Sequence, residues 1–193
     1  MFIETQRLLL RPLKQSDAAY LSGMMQDPDV YRFILKQEPW SKSKIDSLLQ
    51  SQEKLFAQHR YCLFGVEPKG TRELAGYCGV QPLENFSGSL QGEVGISWVF
   101  QKKYWGAGLA TESASAFIDY VYFKTDLQSM KALIHPANRG SVRVASKLGF
   151  EFEDLVFRNG RLRILYSLPK EKYSSGFAAI PVHPQGGMLA GCL

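Results

Sequence analysis

Apolar and polar positions change period repeatedly along the chain, and each change marks an element. RLLLRPL (7–13) is a short apolar run between arginines and reads as a strand. SDAAYLSGMMQD (16–27) has helical spacing, with Ser16 in the N-cap position and Pro28 as its stop. SKSKIDSLLQSQEKLFAQHR (41–60) is a second helix, amphipathic through Ile45, Leu48, Leu49, Leu55 and Phe56. YCLFGVEP (61–68) and ELAGYCGVQPLE (73–84) read as strands of a hairpin turned at KGTR. NFSGSLQG (85–92) is a polar loop, and EVGISWVF (93–100) is again a strand, rich in β-branched and aromatic residues. TESASAFIDYVYF (111–123) is helical, with Ala114, Phe117, Ile118, Val121 and Tyr122 as a buried stripe. MKALIH (130–135) is a strand, and NRGSVRVASKLGF (138–150) a helix that Gly149 terminates. EFEDLVF and RLRILYSLP (151–169) form a closing hairpin turned at Asn159-Gly160.

The predicted order is β α α β β β α β α β β. Several strands pair by hairpins and two helices act as crossovers, which describes an α/β domain with one mixed sheet rather than a doubly wound repeat. No internal repeat is visible. At 193 residues the chain fits one domain, here 1–173. Composition changes over 174–193 to Gly, Pro and small apolar residues, the pattern of a tail that is loose or docked on the body.

Composition narrows the classes. With 45% apolar residues the chain can bury a core, and a net charge of +5 favours anionic partners weakly. Cys62, Cys78 and Cys192 lack metal-ligand spacing and suit a reducing cytoplasm. No metal is implied. Glu4, Arg7 and Arg11 break the first apolar run, so no signal peptide is expected, and no run reaches the length of a membrane span.

The most informative stretch is KKYWGAGLATE (102–112), a glycine loop between a strand and a helix. Such a loop points several backbone N–H groups at one spot beside the positive end of the helix dipole. Gly106 and Gly108 let an anion approach the backbone, and Lys102 and Lys103 add charge at the rim. A dinucleotide fingerprint fails because Thr111 stands where its third glycine belongs, and a Walker loop lacks its Gly-Lys-Ser/Thr. What remains is Lys103-Tyr-Trp-Gly106-Ala-Gly108. Spacing alone leaves two readings open, a pyrophosphate cradle and a helix that merely starts at a glycine turn.

VGISWVFQKKYWGAGLATES resembles the acetyl-coenzyme A loop of the GNAT acetyltransferase superfamily, in which Arg/Gln-x-x-Gly-x-Gly/Ala joins a central strand to a long helix. HPANRGSVRVASKLGFEFE (135–153) is similar to that superfamily's second half-site, and ETQRLLLRPLKQSDA (4–18) resembles the start of the branch that acetylates N-termini of ribosomal proteins. The resemblance covers residues 4–169. It implies the GNAT fold, a single mixed and mostly antiparallel sheet flanked by helices, and an N-acetyltransferase that uses acetyl-coenzyme A as co-substrate. It further implies that backbone around Lys103, Tyr104, Trp105, Gly106, Ala107, Gly108, Leu109 and Ala110 holds the pyrophosphate. Ser97, Trp98, Val99 and Phe100 would bind the pantetheine arm like an added strand, and Asn138 would steady the cofactor. Lys103 departs mildly from the family's Arg or Gln.

Acyl transfer needs a neutral amine and an acid for the leaving thiolate. An α-amine has a pKa of about 8 and a lysine about 10.4, so either needs a base or a water relay. Glu93, at the head of the central strand, is the leading base under the resemblance and otherwise a solvated strand-start residue. Glu112 is the second candidate base, and its placement near a helix N-terminus is favourable in itself. Where many members carry a tyrosine acid this chain has Ala145, and Ser141 either donates to the thiolate or caps its helix. Tyr104 and Tyr122 are further acid candidates. His135 reads as a satisfied or substrate-facing histidine, Trp40 and Trp105 as packing anchors, and Cys78 as a buried hydrophobe rather than a nucleophile. The expected acceptor is a protein N-terminal α-amine or a small amine, met by loops at 28–41 and 83–92 that carry no strong acidic run. The rival reading is a degenerate domain that senses coenzyme A or binds RNA at the ribosome. A monomer or homodimer in the cytoplasm is expected, with no membrane contact.

Overall fold

The computed structural model describes residues 2–34, 38–71, 73–83, 92–158, 160–174 and 182–183. In chain order the strands are β1 (Phe2–Glu4), β2 (Leu8–Pro12), β3 (Leu63–Pro68), β4 (Gly76–Pro82), β5 (Val94–Phe100), β6 (Ser129–Ile134), β7 (Glu151–Arg158), β8 (Arg161–Pro169) and β9 (Val182–His183). The helices are α1 (Ala18–Met24), α2 (Pro28–Tyr31), α3 (Lys42–His59), α4 (Leu109–Lys124) and α5 (Arg139–Lys147). All strands join one sheet in the order β7-β8-β6-β5-β4-β3-β2-β1-β9. Every pairing is antiparallel except β5 with β6. The expected mixed, mostly antiparallel sheet is therefore present. β1, α2 and β9 are additions to the expected order, each too short for its period to register in the sequence. All of the loop expected at 85–92 except Gly92, together with Asn159 and nearly all of the tail, lies outside the described residues, although Ile3 pairs with Val182.

Alternation within each strand sends side chains to two cores. Leu8, Leu10, Phe64, Val66, Cys78, Val80 and Ile96 pack against α4. Leu13, Leu63 and Tyr77 face the other way, onto α1 and α3 through Leu21, Met25, Ile45 and Leu49. α4 is buried well beyond the expected stripe, at every residue from Glu112 to Tyr122. Tyr120 donates to the Arg60 carbonyl, Tyr122 to that of Leu168 in β8, and Ser115 Oγ lies 3.4 Å from the Tyr173 hydroxyl, so segments distant in the chain meet α4 beyond its expected stripe.

One capping expectation is corrected and one holds. The turn before α1 is 3-10 over Gln15–Asp17, and the Lys14 N–H donates to Asp17 Oδ2 (2.9 Å), so Ser16 is not its cap. At the far end of α5, Gly149 adopts φ +83° and the Phe150 N–H reaches back to the Ala145 carbonyl (3.0 Å), the expected glycine stop. Among the described residues no helix is long and apolar enough to cross a membrane.

Candidate active site

β5 pairs with β4 along Val94–Phe100, but its parallel partnership with β6 is confined to Gly95 and Lys131. Beyond Gly95 the two strands part. The far edge of β5 from Ser97 onward then faces a cleft of about 810 Å³ rather than another strand. The glycine loop and α4 connect these two strands, α5 begins a few residues after β6 ends, and residues of the loop and of both helices line the gap.

The glycine loop forms one mouth of this cleft. Lys102–Tyr104 make a 3-10 turn, and the Trp105 indole N–H donates to the Phe100 carbonyl (2.8 Å). Gly106 (φ +77°) and Gly108 (φ +79°) both occupy left-handed backbone, which favours glycine. Gly108 is the N-cap of α4 and no side chain caps it; the first intrahelical bond is Glu112 N–H to Gly108 O (3.1 Å). The N–H groups of Leu109, Ala110 and Thr111 thus lack intrahelical acceptors, and all three residues line the cleft. Such an arrangement can accept an anion at a helix N-terminus.

A tie from the other end of the chain holds the loop. Arg7 donates from Nε to Glu112 Oε2 (2.6 Å), from its backbone N–H to Oε1 (3.0 Å), and from Nη1 to the Ala107 carbonyl (3.0 Å). The Thr5 hydroxyl donates to the same carboxylate (2.6 Å). Burial pushes the Glu112 carboxyl up, but the hydrogen bonds from Thr5 and Arg7 outweigh it and hold it below its ordinary value. Glu112 is therefore a structural anion with every near donor engaged, which corrects its candidacy as a base. Arg7 and Thr5 carried no signal in the sequence, because their partner lies more than 100 residues away.

At the other mouth, Asn138 caps α5 by accepting from the Ser141 N–H (3.1 Å). That removes the capping alternative for Ser141. Its hydroxyl oxygen instead accepts from the Trp98 indole N–H (3.2 Å), and its own proton is uncommitted among the described residues. Ser97, Trp98, Val99, Phe100, Tyr104, Trp105, Gly106, Gly108, Leu109, Ala110, Asn138 and Ser141 all line the cleft. Lys103 and Ala107 do not. Lys103 bonds Glu73 (2.7 Å) and Lys102 bonds Asp29 (2.6 Å), so the rim charge expected of both is engaged. Tyr122 is buried away from the cleft with its hydroxyl on Leu168, which corrects it as an acid candidate. Half-buried Glu93 sits just before β5, its carbonyl accepting from Leu83 N–H (2.8 Å), and the cleft wall starts two residues later at Gly95.

On the α1–α3 side of the sheet the cleft is lined by Phe33, Trp40 and Tyr77, and also by His135 and Arg163, which the sequence did not bring together. The described lining contains four arginines (Arg32, Arg139, Arg143, Arg163) and Lys147, and no carboxylate.

The GNAT acetyltransferase domain model matches residues 7–151, which spans the loop, both cleft strands and α5. The chain belongs to the GNAT acetyltransferase family. It is 33% identical over 157 residues to the uncharacterized protein YkkB of Bacillus subtilis, covering 79% of this chain and 86% of that one. An uncharacterized N-acetyltransferase, p20 of Bacillus licheniformis, is 28% identical over 176 residues, covering 88% and 97%. Among solved structures, a ribosomal L7/L12 α-N-protein acetyltransferase in complex with coenzyme A superposes with a TM-score of 0.69 at 16% identity, over 88% of this chain and 98% of that one. The chain is accordingly an N-acetyltransferase of the GNAT type. In this GNAT domain the described lining of the cleft holds no thiol. Cys62 and Cys78 are buried in the sheet, and burial pushes the Cys62 thiol up to about 12 and Cys78 higher still.

Proposed function

We propose that this GNAT enzyme moves an acetyl group from acetyl-coenzyme A directly to an α-amine held on the α1–α3 side of the cleft. The observation that carries this reading is the parting of β5 from β6 beside an uncapped helix N-terminus: one unpaired strand edge and one set of free backbone N–H groups, lining the same cleft. The fit is good. Backbone N–H groups of Gly106 and of Gly108 to Thr111 suit a pyrophosphate, and the free edge at Ser97–Val99 suits the pantetheine amides. Asn138 lies beside that edge with its amide nitrogen available.

Acetyl-coenzyme A supplies an activated thioester. The amine nitrogen forms the new C–N bond as the C–S bond breaks, and the Ser141 hydroxyl, oriented by Trp98, hydrogen-bonds the leaving sulfur. The amine proton passes by water to Glu93, which sits just before β5, two residues ahead of the first β5 residue in the cleft wall, Gly95. No acyl-enzyme is required, in keeping with the buried, proton-retaining cysteines. An α-amine suits the site better than a polyamine or lysine. It loses its proton at about pH 8 rather than 10.4, and the lining repels a polycation and depresses an amine's pKa further. A protein N-terminus and a small α-amine both meet that requirement.

Acetyl-coenzyme A at about a hundred times its Kd adds roughly 2.7 kcal/mol, so a thermal melt should rise by roughly 5–10 °C with it and not with NAD or ATP. An equal response to all three would discard the cradle assignment. Glu93→Gln is expected to lower kcat about ten- to a hundredfold while acetyl-coenzyme A affinity is retained. Unchanged kcat across pH 6–9 would move the base elsewhere, and an unaltered biological role in that variant would favour the sensor.

A further inference from the structure

We propose that Arg163 anchors a carboxylate on the amine acceptor, so that the substrate is an amino-carboxylate rather than a simple amine. This rests on the transferase reading above. Arg163 is 1% exposed, lines the cleft, and has no hydrogen-bond partner for Nη1 or Nη2 among the described residues. A guanidinium stays charged, and burying it without a counter-charge is costly. In most proteins a buried arginine is paired by the protein itself. Here the described lining offers no carboxylate to do so.

The sheet register places this group on the acceptor side. Leu63 pairs with Gly79 and Gly79 with Ser97, while Gln81 pairs with Gly95 and Gly95 with Lys131. Opposed residues share a face, so this row carries the α1–α3 face from β3 across to β6. Lys131 faces Ser167 and Leu133 faces Leu165 in the β6–β8 ladder. One step further along the same face come His135 and Arg163. Phe33, from the segment after α2, packs on the His135 ring at 5.7 Å between centroids. His135 Nδ1 accepts from the Ala137 N–H (3.1 Å), which leaves Nε2 to carry the proton of the neutral ring. Burial, then the charges of Arg163 and Arg161, lower the His135 pKa, so the ring is a neutral donor near pH 7. The pocket wall is thus a guanidinium fork, an imidazole N–H donor and an aromatic ring, on the α1–α3 face of the cleft. A carboxylate accepts two parallel hydrogen bonds from such a fork.

The test uses the full chain, its Arg163→Met variant, and matched acceptors that differ only in charge. One arm pairs free amino acids with their α-amides. A second pairs tetrapeptide amides bearing Glu or Gln at the second position, to separate a small acceptor from an acidic protein N-terminus. Wild type should favour the carboxylate member of one pair at least tenfold in kcat/KM. Arg163→Met should erase that preference, lowering kcat/KM for the carboxylate about a hundredfold with the acetyl-coenzyme A Kd unchanged. The variant should also melt no lower than wild type, since it removes an unpaired buried charge. A lower melting point with equal losses on acids and amides would make Arg163 structural, and a raised acetyl-coenzyme A Kd would assign it to the cofactor; either overturns the proposal. N-acetyl amino acids and their amides are also tested by thermal shift, without turnover. Selective stabilisation by the acids that Arg163→Met abolishes would support the anchor even if no acceptor were acetylated, an outcome that would sink the transferase reading alone.

Discussion

Gly108→Val is expected to raise the Kd for acetyl-coenzyme A at least about thirtyfold. Position 108 has φ +79°, and holding an L-residue there costs roughly 1–2 kcal/mol. A Cβ at this position would stand 3.5 Å from Arg7 Nη2, and valine adds two methyl groups at the mouth of the anion cradle. Losing one charge-assisted hydrogen bond from the loop to a phosphate removes about 2 kcal/mol, which is the thirtyfold change. Calorimetric titration of acetyl-coenzyme A would measure it. Gly108→Ala separates the two contributions, because it keeps the backbone strain and nearly restores the space. Should the valine variant bind as tightly as wild type, the glycines would be a mere helix start and the pyrophosphate would lie elsewhere.

Glu112→Ala is expected to lower global stability by about 3 kcal/mol, the low end for breaking a buried ion pair because Arg7 is half exposed and can rehydrate. The Thr5 hydroxyl and the Arg7 backbone N–H would lose their acceptor. For a chain of this size the melting point should fall by roughly 6–12 °C. The pH dependence carries a second signature. The Glu112 carboxyl is held below its ordinary value in the folded state, so its contribution is complete above about pH 4.5 and fades as pH falls through the folded pKa. Wild type should therefore lose stability in acid more steeply than Glu112→Gln, in which this group cannot titrate. Parallel acid profiles would mean that Glu112 contributes no net pairing energy. Because Arg7 also holds the Ala107 carbonyl, the same variant should bind acetyl-coenzyme A less tightly, which links the core of the fold to its cradle.

Much of this architecture can be read along the chain because its causes are local. Strand periods, the turn glycines and the stop at Gly149 depend on residues within a few positions of one another. The glycine loop is legible for the same reason: Gly106 and Gly108 are required by backbone angles that their own neighbours impose. Errors arise where a local signal competes with a distant partner. Ser16 looks like a cap, but it lies inside a 3-10 turn that Asp17 closes, accepting from the Lys14 N–H while Arg11 fixes its carboxylate with two hydrogen bonds of 2.8 Å. Ser141 looks like a cap too, yet Asn138 is nearer the geometry and Trp98, 43 residues away, claims the serine oxygen. The α4 stripe widens to a nearly all-round burial because distant segments cover it.

By itself the sequence determined the order of the elements, the loop that can hold an anion, and the family to which the chain belongs. Those are properties of hydrophobic period, backbone permissiveness and short motifs, all written within about twenty residues. Only the tertiary structure decided that β5 and β6 separate, that Arg7 and Glu112 clamp the loop, and that Arg163 lies unpaired in the cleft among the described residues. Each of these is a meeting of residues far apart in the chain. Burial and the lack of a partner are properties of the surroundings, which one-dimensional spacing does not carry.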